Sequence, residues 1–346
     1  MPIHRRFTAR NVVLVFFAWL FIVLLFHPRV GLWGQETDTT TTAPVRTHTH
    51  EVGNKGSESK HNGGVKFGND GTKKAGKRRT AVVVASRTSE NATWLEEHFP
   101  QWEKYIYHVD DATAKLKVPK NKGREGMVYL TFIIDNYASL PDNILFIHPT
   151  RYQWHNDDPD YDGLPMLRRF QIPYLEAEGY VNIRCAWSLG CPAEIKPYAE
   201  EGEHRENVHA GGDYKRAFQA LFPGKEVPRE VGVSCCAQFA ATKERVLERK
   251  REEYVRWREW LIGTELKDSI SGRVLEYSWH MIFGKDAVHC PTAKECYCKT
   301  FGLCNLDCEE EGSCGHYTLP PYSTIPMGWP YVGFKGEQRI RRGPEG

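Results

Sequence analysis

Four short stretches of this 346-residue chain carry groups able to do acid–base or ligand-binding chemistry. SRTSE holds Ser86, Arg87 and Glu90, and an acidic pair follows at Asp110-Asp111. HPTRYQWHNDDPDYDG brings His148, Arg151, Trp154, His155, Asp157, Asp158 and Asp160 into one loop's length. EYSWH places Glu276 and His280 at helical i, i+4 spacing. On one helix face, such a carboxylate can take a proton from a hydroxyl and such an imidazole can hold a metal. Asp157, Asp158 and Asp160 offer several oxygens at close range, the donor set of a hard divalent cation. Plainer roles compete in each case. Asp110-Asp111 can cap a turn, HNDDPDYD can be a solvated turn, and Glu276–His280 can be a surface hydrogen-bonded pair.

The segments around these groups alternate between strand and helix. Residues 81–85 (AVVVA) are continuously apolar, as a buried parallel strand is. Residues 105–109, 143–148, 180–184 and 231–240 read as further strands. Helices are predicted over 125–139, over 166–178 with Pro173 as a bend or break, over 243–262 and over 274–283. Leu130, Ile133, Ile134 and Tyr137 make the apolar face of the first, and Val246, Tyr254, Trp257 and Leu261 that of the third. Residues 186–227 read as irregular. This alternation implies a single α/β domain with a mostly parallel central sheet flanked by helices. Ligands of such sheets sit beyond the C-terminal strand ends, and the first three chemistry-bearing stretches each follow a strand. No G-x-G-x-x-G follows a strand, and the chain has no G-x4-G-K-[ST], H-E-x-x-H or G-x-S-x-G. Those absences weigh against hydride transfer, P-loop, zincin and α/β-hydrolase chemistry.

All ten cysteines lie beyond residue 184, an even number that reads as disulfides. Their spacing leaves the pairing open and does not match paired C-x2-C zinc hooks. The apolar run Val12–Phe26 would make roughly 22 Å of helix, short for a bilayer core of about 30 Å. Leu32 and Trp33 can extend it, and HPRVGLWGQE after the run has no A-x-A-like cleavage pattern, which predicts a signal-anchor over 12–33 rather than a cleaved leader. Arg5, Arg6 and Arg10 on its N-terminal side put residues 1–11 in the cytosol and the rest in the lumen, a single-pass type II layout. Residues 34–79 are polar and carry few large apolar groups, as a flexible stem does. Lys77-Arg78 within it reads first as part of a solvated basic linker and second as a dibasic processing site. Residues 80–315 form the lumenal domain and 316–346 an irregular tail. The first 79 residues carry a net charge of +8 and the remainder −6. An acidic folded part argues against nucleic acid as a partner. Asn91-Ala92-Thr93 is the sole glycosylation sequon, with Asn91 the acceptor.

VVVASR, IIDNYASLPDNILFIH, WHNDD, GYVNIRC, CCAQFAATKERV, SGRVLEYSWHMIFG and CPTAKECYCKTFGLC occur in that order across residues 80–305. They resemble a largely fungal family described as domain of unknown function 3431. The layout also resembles A-type glycosyltransferases, which read a sugar nucleotide across their strand ends and are commonly anchored in the Golgi or endoplasmic reticulum. The resemblance implies a nucleotide-sugar donor touched by Ser86, Arg87, Asp110 and Asp111. It implies a Mn²⁺ or Mg²⁺ ion on Asp157, Asp158 and His280, and Glu276 as base toward a glycan or glycoprotein acceptor. His148, Arg151, Trp154 and His155 would line the substrate. One motif departs: the 143–148 strand ends in His148-Pro149-Thr150 instead of Asp-x-Asp, and the nearest acidic cluster, Asp157-Asp158-Pro159-Asp160, begins nine residues further on. Two other readings remain. One is a non-catalytic carbohydrate-binding protein of the lumen or cell wall, stacking sugars on Trp102, Tyr152, Trp154 and Trp187. The other is a hydrolase with paired carboxylates.

Overall fold

The structure is a computed structural model that describes residues 78–205, 209–318, 325–333 and 335–339. The expected tail at 1–11, the anchor at 12–33 and the stem as far as residue 77 lie outside the described residues. Among the described residues no helix is long and apolar enough to cross a membrane.

The first strand, β1 (Thr80–Ser86), runs between β2 (Glu103–His108) and β3 (Asn143–Ile147), parallel to both. β3 pairs antiparallel with β6 (Phe239–Thr242), which in turn pairs antiparallel with β4 (Tyr180–Asn182). The sheet order is therefore β2-β1-β3-β6-β4, with β6 alone reversed. A second, two-stranded sheet joins β5 (Gly232–Val233) to β7 (Val288–His289).

Strand side chains alternate between faces with period two, and both faces of this sheet are apolar. Val83, Ile144, Phe146, Phe239 and Ala241 pack on one side with α2 (Glu125–Asn136), α5 (Gly211–Leu221), α7 (Arg251–Gly263) and α8 (Asp268–Glu276). Val82, Val84, Leu145, Ile147 and Ala240 pack on the other with α1 (Trp94–His98), α3 (Gly163–Arg169), α4 (Ile172–Glu178) and α10 (Ala293–Phe301). The result is one mixed α/β domain of three layers, its central sheet mostly parallel. The predicted faces of the long helices are inside: Leu130, Ile133, Val246, Tyr254, Trp257 and Leu261 are buried.

Several expected elements are interrupted. The helix expected over 166–178 breaks at Phe170–Gln171. Pro173 sits in the first turn of α4, where its absent N–H is not needed, so it opens a helix rather than bending one. The helix expected over 243–262 divides into α6 (Lys243–Leu247) and α7, with Lys250 extended at ψ 147° between them. The strand expected over 231–240 is two strands, because Cys236 (φ 94°) and Ala237 (φ 50°) turn the chain between β5 and β6. The helix expected over 274–283 ends at Glu276 and resumes as α9 (Trp279–Ile282). Residues 186–227, expected to be irregular, contain α5.

All ten cysteines are paired. Cys185–Cys296 and Cys191–Cys290 join the chain just after β4 to the C-terminal part. Cys298–Cys304 and Cys308–Cys314 close short loops, and Cys235–Cys236 joins neighbours in sequence.

Candidate functional site at the strand ends

β1 and β3 are adjacent, but the chain leaves β1 toward β2 on one side and leaves β3 toward β4 on the other. The C-terminal ends of β1 and β3 thus flank a topological switch point, the crevice where open α/β sheets bind ligands. Because β6 is reversed, its N-terminal approach, Cys236-Ala237-Gln238, meets the same edge.

His148 follows β3 directly. Its backbone N–H donates to Gln238 Oε1 at 3.0 Å, and its Nε2–H donates to the Cys236 carbonyl at 2.9 Å. Its ring stacks on His155 at 4.4 Å. Burial pulls the His148 imidazole below its ordinary pKa, against the Cys236 carbonyl and the Glu276 charge. Glu276, the last residue of α8, accepts from the Cys236 N–H. One backbone unit therefore links the carboxylate to the imidazole. Arg273, one turn earlier, lies 3.9 Å from Glu276 and 3.9 Å from Glu194. The Glu276 side chain is 12% exposed, and burial pushes its carboxyl above the ordinary range. Glu125 and Glu194 add to that rise, while Arg273 and the Cys236 N–H oppose it.

Glu125 opens α2 and is itself pushed up by burial. Gly272 brings it close: a Cβ there would lie 3.2 Å from the Gly123 carbonyl and from Arg124 Cγ. Arg124 holds a left-handed φ of 53° at this junction, a conformation that strains a non-glycine residue. Glu194 accepts from Tyr277 Oη at 2.5 Å and lies 3.6 Å from His209 Nδ1. His209 also faces Glu200 at 3.2 Å, and Glu194, ahead of burial, raises the His209 pKa.

The residues expected from sequence divide into two groups. Glu276, His148 and His155 are brought together, with Glu90 near enough to act on the His148 charge. Ser86 ends β1, buried, its hydroxyl donating to the Arg87 carbonyl at 3.1 Å. Arg87 is exposed and pairs with Glu90 at 3.2 Å. Asp110 ties the two loops beside it by accepting from Thr88 N and Oγ1 at 2.8 and 3.0 Å. Asp111 accepts from Thr113 N and Oγ1, both at 2.7 Å. These hydrogen bonds hold both carboxyls below their ordinary range. Asn91 is exposed, and its Oδ1 accepts from Thr93 N and Oγ1 at 2.9 and 2.7 Å.

The other group organises the long loop. Both oxygens of Asp157 are engaged, by Cys185 N at 2.5 Å, Ala186 N at 3.3 Å and Tyr297 Oη at 2.8 Å. Asp158 Oδ1 accepts from Asp160 N and Asp162 N. Burial pushes the Asp158 carboxyl up to about 7. Arg151 makes a two-pronged ion pair with Asp162 at 2.8 and 2.6 Å. His280 is carried away from Glu276 by the break after α8. It is buried and donates from Nε2 to the Ala287 carbonyl at 3.0 Å, and burial pulls it down to about 4. Asp157, Asp158 and His280 therefore do not present a shared donor set for a cation. Cys235, Cys236 and Glu276 do place ligand atoms within 4.8 Å of one another, but the two sulfurs are bonded to each other.

The aromatics considered for sugar stacking are largely taken up in packing. Trp102 stacks on Phe99 at 4.5 Å, and Trp154 lies beside Arg184 and His155. Trp187 donates to the Pro291 carbonyl and packs beneath Gly312. Arg151 lies over the ring of Tyr152 at 5.0 Å.

Sequence reasoning passed over Glu125, Arg273, Glu194, Arg184 and Gln238. Glu125 opens a helix whose apolar pattern already accounted for it, and Arg273 stands one residue ahead of the helix expected over 274–283. Arg184 is 1% exposed, donating to the Trp154 and His155 carbonyls and to Cys236 Sγ at 3.1–3.3 Å. A lone arginine ending a buried strand was the available signal, since a buried charge needs partners.

No curated protein and no solved structure matches the chain. The segments that build this edge of the sheet, from within β1 to α10, all fall inside residues 82–299, which match one family along their whole length, and the chain belongs to that family, DUF3431, protein of unknown function.

Proposed function

We propose that the protein transfers a sugar from a nucleotide donor to a hydroxyl of a glycan or glycoprotein, with Glu276 as the base. The observation that carries this reading is the position of Glu276. It is a largely buried carboxylate, pushed up in pKa, joined through the backbone of one residue, Cys236, to His148 at the switch point of the sheet. A raised carboxyl is a stronger base toward an alcohol, and a position at the strand ends gives it a bound ligand to act on. Arg124 and Arg273 bring positive charge to the edge that an anionic donor would occupy. The Asp157, Asp158 and His280 geometry does not fit a metal on the donor diphosphate, so no step of this proposal passes through one. The disulfides agree with a lumenal or secreted setting, and a membrane anchor over 12–33 would hold the domain there.

The test is direct. Purified domain is offered a panel of sugar nucleotides, with and without Mn²⁺ or Mg²⁺, and binding and nucleoside diphosphate release are measured. The expected result is turnover of at least one donor and a loss of about 10²–10⁴-fold in Glu276→Gln. Absence of binding and hydrolysis with every donor would overturn the reading. Glu125 beside Glu276, both carboxyls raised, favours a second reading as a glycoside hydrolase. Glycan cleavage without any nucleotide would select it.

A further inference from the structure

The geometry points to a positioning device in the same crevice: we infer that the Cys235–Cys236 bond holds the backbone of Cys236 so that its N–H, within the ring, meets Glu276 and its carbonyl, just beyond the ring, meets His148. The functional weight of this inference rests on Glu276 being the working carboxylate; the contacts themselves do not.

Three observations support it. First, the bond spans a sequence separation of one. A disulfide stabilises a fold mainly by closing a loop in the unfolded chain, and this one closes almost none, so local geometry is what it governs. Second, Cys236 has φ 94° and Ala237 φ 50°. Consecutive L-residues in the left-handed region cost about 1–2 kcal/mol each, and a freely turning chain would leave it. A small covalent ring through the Cys235–Cys236 peptide contains the N–Cα bond of Cys236 and restrains the escape there. Third, the ring is gripped from outside. Arg184 Nη1 donates to Cys236 Sγ at 3.1 Å, and both cysteines are buried. The backbone of Cys236 then has one orientation, the N–H of the peptide before its Cα on Glu276 and the carbonyl of the peptide after it on His148.

The charged and titratable groups around Glu276 come from every neighbouring element. Arg273 lies on its own helix, Glu125 on α2 and Glu194 in the loop after β4. His148 follows β3, Arg184 follows β4, and Tyr277 is next in sequence. Only the Cys236 N–H depends on the ring. Donation to the charged carboxylate favours ionisation, so losing it raises the Glu276 pKa.

The backbone amide of residue 236 reports this by NMR, its proton shift following the ionisation of Glu276 as pH is varied. Glu276→Gln should abolish that titration. In C235A/C236A the midpoint should rise by about one pH unit and the amplitude should collapse. In C235A/C236G the change should be smaller, because glycine reaches φ 94° without strain. An unchanged midpoint and amplitude in C235A/C236A would overturn the inference. If that variant does not fold, an unchanged titration in C235S, which opens the ring and keeps an L-residue at 236, does so. A normal amide titration response in a protein that turns over no sugar nucleotide sinks the transferase reading alone. Turnover with no effect of the ring sinks the positioning role alone.

Discussion

Asp158 shows how burial redirects an acidic cluster. In sequence it is one of three acids within four residues and invites a cation. In the structure it turns inward and accepts from Asp160 N and Asp162 N, at 8% exposure. Its folded pKa of about 7 lies above the ordinary 3.8. The folded protein thus holds the proton where the unfolded chain has lost it. That contribution to stability is full below the unfolded value and lost as pH rises through about 7. Asp158→Asn keeps an acceptor for the two N–H groups and removes the ionisation. It should stabilise the protein at pH 8 by on the order of 2–4 kcal/mol, and little at pH 4. Denaturant melts at the two pH values measure the difference; equal effects at both would contradict the buried titration.

At the scale of elements, Asp162 does two jobs. Its carboxylate caps α3 by accepting from Leu164 N at 2.9 Å, and it holds Arg151. Asp162→Ala should lower stability by about 1–3 kcal/mol, the sum of a lost cap and a partly buried ion pair. Urea melts beside Arg151→Met separate the two, since that substitution spares the cap. Elements of this kind were legible where pattern alone decides them. AVVVA and ILFI are apolar at every position because helices cover both faces, and the structure has them in β1 and β3. The direction of β6 was not legible, since an apolar FAAT reads the same either way along the chain. Its partner β3 lies nearly 100 residues earlier in sequence and its partner β4 about 60. The break after Glu276 was likewise hidden. VLEYSWHMIF keeps helical spacing, but Tyr214 Oη donates to the Tyr277 carbonyl and Ser278 Oγ to that of Val274, which suits a turn there. That break is why Glu276 reaches the site and His280 does not.

For the whole molecule, the disulfides differ in what they hold. Cys185–Cys296 spans 111 residues and Cys298–Cys304 only 6. Closing the longer loop removes more disorder from the unfolded chain, so C185A/C296A should cost about 2 kcal/mol more than C298A/C304A. Thermal or denaturant unfolding of the two variants checks the order, and a larger loss in C298A/C304A would contradict it. The position of β6 also has a consequence for synthesis. β4 has no neighbour in the sheet except β6, and β6 ends at Thr242. A ribosome that has made β1 through β4 has made four strands of the sheet without the one that joins the fourth to the rest. The partners of Cys185 and Cys191, at 296 and 290, arrive later still. The crevice is therefore assembled late in translation, and a chain cut short before residue 239 keeps the apolar faces of a sheet with no means of completing it.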